Sequence, residues 1–121
     1  MMKVAVTAKE ASLGSLVDQR FGRARYLIVI DTQTGEHQVH NNEVNLNAAQ
    51  GAGIQTAQNV VQLGVEAVLM GHVGPNAYRA LSAGGVRVYT GVGGTVEQAL
   101  EELKAGKLSP ADSEDVEGHW V

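Results

Sequence analysis

Two short apolar runs, each feeding a glycine-rich turn and then a helix-type pattern, limit this chain more than any other feature. The first is Ala67-Val68-Leu69-Met70, followed by Gly71-His72-Val73-Gly74-Pro75. The second is Val86-Arg87-Val88-Tyr89-Thr90, followed by Gly91-Val92-Gly93-Gly94-Thr95. An unbroken apolar run of four residues suits a strand buried on both faces. Proline just after Gly74 is well placed at the first position of a helix. Thr95-Val96-Glu97-Gln98 has a capping-box pattern, and Val96, Ala99, Leu100 and Leu103 give the following helix one apolar face. Strands that alternate with helices pair in parallel through right-handed crossovers.

The first half of the chain adds a different unit. Lys3-Val4-Ala5-Val6-Thr7-Ala8 reads as a strand, and Tyr26 to Asp31 as a second. Asp31-Thr32-Gln33-Thr34-Gly35-Glu36 is a hairpin turn signal, so residues 37–44 are expected to return antiparallel. A helix opens at Gly51-Ala52-Gly53, carries Ile54, Ala57, Val60 and Val61 at helical spacing, and ends near Gly64. The expected architecture is an α/β domain with a mixed five-stranded sheet flanked by helices. It is expected to span residues 1–108, followed by a polar, acidic tail over 109–121 that has no evident packing role.

Composition narrows the function. The chain has no cysteine, which excludes disulfides, thiol catalysis and thiolate-held clusters. A metal here is held by His, Met, carboxylate or backbone, or arrives with its own ligands. The net charge of −4 comes from 9 basic and 13 acidic side chains, but Asp112, Glu114, Asp115 and Glu117 all lie in the tail. The body before them is neutral, and a broad nucleic-acid footprint is not expected. No apolar run approaches the ~18 residues of a membrane span. The chain enters a strand directly after Met1-Met2, and a cytoplasmic location is expected.

The chemistry concentrates in Asp18-Gln19-Arg20-Phe21-Gly22-Arg23-Ala24-Arg25, where three arginines surround a Phe-Gly turn just before a strand. Guanidinium groups present fixed, permanently charged donors suited to anions. Ligands in open α/β sheets sit beyond the carboxyl ends of the strands, which is where Lys9, the 71–74 turn and the 91–94 turn are expected. Helix N-termini fed by glycine-rich turns attract anions. The candidate binding residues are therefore Arg20, Phe21, Gly22, Arg23, Gly51, Gly53, His72, Gly74, Gly91 and Gly93. Phe21, the only phenylalanine, is better suited to anchoring the loop than to touching a ligand. His72 and His119 are the candidate metal ligands, His119 because it stands beside Trp120 in a segment able to close over the cleft. His37 and His40 sit three apart on a strand, face opposite sides and make a poor metal pair. No Ser-His-Asp, Walker A or His-Glu-x-x-His pattern is present, and Asp31 and Glu66 lack carboxylate partners for two-metal chemistry.

Taken in order, these motifs resemble the dinitrogenase iron–molybdenum cofactor biosynthesis family, the NifX/NafY-like domain. The resemblance covers residues 3–108. It runs through Asp18-Gln19-Arg20-Phe21-Gly22-Arg23-Ala24, Gly71-His72-Val73-Gly74-Pro75-Asn76-Ala77, Gly84-Gly85-Val86-Arg87-Val88-Tyr89 and Gly93-Gly94-Thr95-Val96-Glu97-Gln98-Ala99-Leu100. It implies a ribonuclease H-like three-layer α/β/α fold without nuclease activity. It also implies a non-enzymatic protein that binds, carries or assembles an anionic metal–sulfur cluster, held non-covalently. The cluster would be an iron–molybdenum cofactor precursor or a molybdenum–copper sulfide cluster. Cluster donor or acceptor proteins are the implied partners, with neither nucleic acid nor membrane among them. The alternative is a regulatory or interaction module that takes a small anion or nucleotide in the same cleft.

Overall fold

The computed structural model describes residues 2–42 and 52–111. Five strands form one sheet in the order β3-β2-β1-β4-β5. They are β1 (Lys3–Ala8), β2 (Tyr26–Asp31), β3 (His37–Asn41), β4 (Ala67–Leu69) and β5 (Arg87–Tyr89). β1 pairs antiparallel with β2 and parallel with β4, and β4 pairs parallel with β5. β2 pairs antiparallel with β3, so β2 alone runs against the others. This is the mixed five-stranded sheet expected from the pattern. β4 and β5 are each shorter than their apolar runs, because Met70 and Thr90 already belong to the turns. β3 ends at Asn41, and the rest of the expected third strand lies outside the described residues.

Three helices connect and cover the strands among the described residues: α1 (Ala52–Gln62), α2 (Pro75–Ala83) and α3 (Val96–Lys104). The period-2 alternation of β1 assigns its side chains to two cores. Val4, Val6 and Ala8 join Ile28, Ile30, Leu69 and the α3 residues Val96, Ala99 and Leu100 on one face. Ala5 joins Leu27, Val68, Val60 of α1 and Ala77 and Leu81 of α2 on the other. Helices therefore cover both faces, and the central strands β1 and β4 are buried throughout apart from Lys3. That is why β4 reads as a run of consecutive apolar residues and not as an alternation.

The helix ends follow the local chemistry. Gly64 takes φ +74 just past α1, the left-handed conformation that glycine adopts without a Cβ penalty. Gly74 caps α2, with proline at its start. Thr95 caps α3 by a complete capping box: its hydroxyl accepts from the Gln98 amide at 3.1 Å, and the Gln98 side chain accepts from the Thr95 amide at 2.9 Å.

The described residues just after α3 are tied to the body of the domain. Leu108 packs against the core on the α3 side. The Ala111 amide donates to the Val88 carbonyl at 2.7 Å, and the Tyr78 hydroxyl donates to the Ala111 carbonyl at 3.1 Å. The outer edge of β5 is thus capped by the chain itself, which removes one exposed strand edge.

Because α3 has only nine residues, its cap matters. Thr95→Ala is expected to destabilise the protein by ~1 kcal/mol in urea denaturation with an unchanged m-value, and Thr95→Ser by only a few tenths.

Candidate functional site

The loop after β1 folds back over the carboxyl ends of the strands and is fastened there by backbone. Ser15, buried, accepts from the Lys9 and Glu10 amides at 3.1 and 2.8 Å. Thr7 is fully buried at the end of β1; its hydroxyl donates to the Asp18 carbonyl at 2.8 Å, and the Asp18 amide donates to the Thr7 carbonyl at 2.9 Å. The Gln19 side-chain amide donates to the Val92 carbonyl at 3.2 Å, tying the same loop to the turn before α3.

Beyond Gln19 the chain forms a bridge to the turn after β4. The His72 amide donates to the Gln19 carbonyl at 2.7 Å, and the Phe21 amide donates to the His72 carbonyl at 3.2 Å. This close approach depends on Gly71. A Cβ at that position would stand 2.6 Å from the Gln19 carbonyl oxygen and 2.7 Å from its Cα. Phe21 then opens a 3-10 turn, Phe21–Arg23, and its ring is fully buried among core residues including Ala57 and Val60 of α1. Phe21 is the anchor of the loop, as its type suggested. Gly22 is buried beside it.

With the backbone fixed, the charged side chains have one place to go. Lys9, Arg20, Arg23 and Arg25, with Gln19 and Asp18, line a cleft of about 390 Å³. Four of the chain's nine Lys and Arg residues are gathered around one carboxylate. Lys9, Arg20, Arg23 and Arg25 are exposed. Among the described residues, the guanidinium groups of Arg20 and Arg23 are engaged in no hydrogen bond or ion pair. The Asp18 carboxylate accepts from the Arg20 backbone amide at 3.1 Å, so it holds the turn.

The structure thus brings Arg20 and Arg23 together and places Phe21 and Gly22 directly beneath them. His72 is half-buried next to this cleft and joined to it through its backbone, but it does not belong to the lining. Gly74 is buried at the start of α2. Gly91 donates its amide to the Gly71 carbonyl at 2.7 Å, and neither it nor Gly93 lines the cleft. The donors of His72 and Gly91 that the strand-end rule aims at a ligand are already bonded to neighbouring loops. Gly53 is buried in the first turn of α1, while Gly51 and His119 lie outside the described residues. No group of three or more His, Cys, Asp or Glu side chains capable of holding a metal ion occurs among the described residues.

Lys9 and Arg25 line the cleft although they are not among the ten candidate binding residues; the sequence places Lys9 at the strand-end edge and Arg25 in the arginine segment. A signal for them exists. β1 and β2 pair with Ala8 opposite Tyr26, so the residues just beyond, Lys9 and Arg25, emerge side by side at the same edge. Asn42, also unforeseen, is buried and donates to the Ala24 carbonyl at 2.8 Å and to Thr56 Oγ1 at 3.1 Å, joining the arginine turn to α1.

Residues 2–106 match the family model described as dinitrogenase iron–molybdenum cofactor. The apo form of the orange protein from Desulfovibrio gigas is 36% identical and superposes with a TM-score of 0.93, covering 96% of this chain and 98% of that one. A Thermotoga protein of the DUF35 family is 37% identical with a TM-score of 0.83, over 98% of this chain and all of its own. An uncharacterized protein of Methanocaldococcus jannaschii is 26% identical over 112 residues, 89% of this chain and 90% of that one.

The Gly71 approach is directly testable. Gly71→Ala forces the Gln19 backbone off β4 and is expected to cost ~1–3 kcal/mol or more, as overpacking against backbone does. Gly93→Ala meets no atom within 4 Å and should stay within ~0.5 kcal/mol of the parent. Equal denaturation midpoints for the two variants would show that the bridge does not hold the loop.

Proposed function

The chain belongs to the dinitrogenase iron–molybdenum cofactor family, and we propose that it is a non-enzymatic carrier or assembly scaffold for an anionic metal–sulfur cluster. The observation that carries this reading is the cleft in which Lys9, Arg20, Arg23 and Arg25 surround a single carboxylate. A cluster that brings its own sulfide ligands needs charge and hydrogen-bond donors from the protein, and no thiolate. Guanidinium groups supply both, and charge-assisted hydrogen bonds are about twice as strong as neutral ones. The absence of cysteine from the whole sequence is compatible with such cargo.

The cargo we favour is a thiometallate of molybdenum combined with copper or iron, held non-covalently. The likeness to the orange protein supports this choice. In this reading Arg20 and Arg23 grip the sulfide edge, with Lys9 and Arg25 on either side. Phe21 and Gly22 set the turn from below, Gly53, Gly74, Gly91 and Gly93 shape the surrounding backbone, and Gly51, a further candidate, lies outside the described residues. His72, and His119 beyond the described residues, are the candidate imidazole ligands for a soft metal. Donor and acceptor proteins for the cluster are the partners, in the cytoplasm. Among the described residues no helix is long and apolar enough to cross a membrane. The sheet order, with β2 alone reversed, supports placing the domain among ribonuclease H-like three-layer folds.

Uptake of tetrathiomolybdate, with and without copper, tests the proposal by gel filtration and metal analysis. Coloured protein carrying molybdenum is expected. Arg20→Ala and Arg23→Ala should each weaken binding by roughly tenfold, the effect of losing one charge-assisted bond. Thermal stability should hold, since both side chains are exposed. Metal that never comigrates with the protein would refute the carrier reading.

A further inference from the structure

One group in the arginine cleft has the opposite charge to the rest. Lys9, Arg20, Arg23 and Arg25 line the cleft, and Asp18 lines it with them. Asp18 is half-buried, and its carboxylate accepts from the Arg20 backbone amide at 3.1 Å. An amide bonded to a side-chain oxygen two residues earlier is the contact of an Asx turn. Among the described residues no lysine or arginine side chain pairs with this carboxylate.

Neither the turn nor anion binding accounts for the charge. The turn needs one acceptor oxygen, which an asparagine side chain supplies equally well. Toward an anion the carboxylate works against binding. It cancels one of the four positive charges and sets an acceptor-only group where the ligand's own acceptors must lie. A cleft built only to collect negative charge would do better with asparagine at this position. The carboxylate is favourable only toward a ligand that turns a proton or a cation to it.

We propose that Asp18 is the specificity-determining residue of the cleft. It admits anions that carry a hydrogen-bond donor or a metal cation beside their negative edge, and it disfavours anions that present acceptors alone. The arginines bind the negative edge, and Asp18 reads the position next to it. For the cargo, the consequence rests on the cluster-binding reading given above. A bare thiomolybdate presents sulfide in every direction, whereas one to which a further metal ion has been added presents a cation as well. The cleft therefore prefers the metal-augmented cluster to its precursor.

Two oxyanions test the residue without any cluster. At mildly alkaline pH hydrogen phosphate and sulfate are both tetrahedral and carry the same charge, and they differ by one O–H group. Each is titrated into the full-length protein and into the full-length variant Asp18→Asn, with the carbon-13 Cζ resonances of Arg20 and Arg23 reporting binding by NMR. Hydrogen phosphate is expected to bind the parent roughly fivefold more tightly than sulfate, the effect of one hydrogen bond to a charged group, reduced by partial exposure. In Asp18→Asn the preference should fall to within about twofold, because the amide offers sulfate a donor as readily as it offers phosphate an acceptor. The variant keeps an oxygen for the Arg20 amide, so its denaturation midpoint should match the parent's. If it does not, Asp18→Ser, which also keeps an acceptor for the turn, takes its place. A role confined to the turn would weaken both anions alike, and that result overturns the proposal. So does a parent that binds the two anions equally, one that binds neither, or a preference that survives in the variant.

Tetrathiomolybdate separates this proposal from the cluster reading. The bare anion is expected to bind Asp18→Asn at least about threefold more tightly than the parent, as removal of one nearby like charge predicts, and prior addition of copper should shrink that advantage. Equal affinities of parent and variant for the bare anion overturn the proposal and leave the cluster reading standing. If neither protein takes up tetrathiomolybdate, with or without copper, while the phosphate preference is present in the parent and lost in the variant, the cluster reading fails and the role of Asp18 stands.

Discussion

The site depends on one pair of backbone hydrogen bonds. Gln19 accepts from His72 and Phe21 donates to His72, so the arginine loop is laid as a short parallel bridge onto the turn after β4. The bridge exists because position 71 has no side chain; any Cβ there would enter the Gln19 backbone. Everything that follows in the loop inherits its position from this contact. Phe21 is delivered into the core, the 3-10 turn begins, and the side chains at 20 and 23 project outward. Arginine is a long, entropically costly side chain, and a cluster of arginines on a wandering loop would present no defined cleft. Here the loop backbone is fixed at both ends, by Thr7 and Ser15 on one side and by Phe21 and Asn42 on the other.

Much of the fold was legible because its signals are local. The β1 and β2 spans, the hairpin turn, the start of α2 at Gly74-Pro75 and the capping box at Thr95 all follow from residues that are neighbours in the chain. The site was legible only in part. The concentration of arginines and the anchoring role of Phe21 are written in one segment. The roles of the glycines are not, because they depend on what approaches from elsewhere. Gly71 reads as a ligand-facing glycine after a strand, yet its neighbour is Gln19, which lies over fifty positions earlier. Gly91 reads the same way, yet its amide meets the Gly71 carbonyl. Lys9 and Arg25 needed the β1–β2 register, and Asn42 needed knowledge of which polar residue in an asparagine-rich stretch turns inward.

These placements shift the electrostatics of the site from backbone to side chains. In many α/β domains the anion rests on free N–H groups at a helix N-terminus, whose geometry admits little variation. Here the strand-end loops bond to one another, and the positive potential comes from four long side chains at the rim. Guanidinium groups on flexible stems adapt to cargo of different shape. Such a cleft suits an inorganic polyanion whose size changes as metals are added. It is a poor choice for reading the fine structure of an organic ligand, which requires buried, fixed donors.

The same choice has a consequence for the empty protein. Exposed arginines are attractive to any polyanion in a cell, including nucleic acid and acidic proteins. The cations at 9, 20, 23 and 25 lie close enough to act together, and their shared field extends about one Debye length, ~8 Å at physiological ionic strength. A covalent ligand set would exclude such competitors by chemistry; an electrostatic one must do so by occupancy or by demand for charge density. A multivalent anion with closely spaced sulfides satisfies several guanidinium groups at once, whereas an extended polymer with phosphates several ångströms apart engages them singly. Selectivity in an electrostatic site of this kind rests on how compactly the ligand's charge is packed; here the Gly71 bridge fixes the backbone that carries Arg20 and Arg23, and the β1–β2 register brings Lys9 and Arg25 to the same edge.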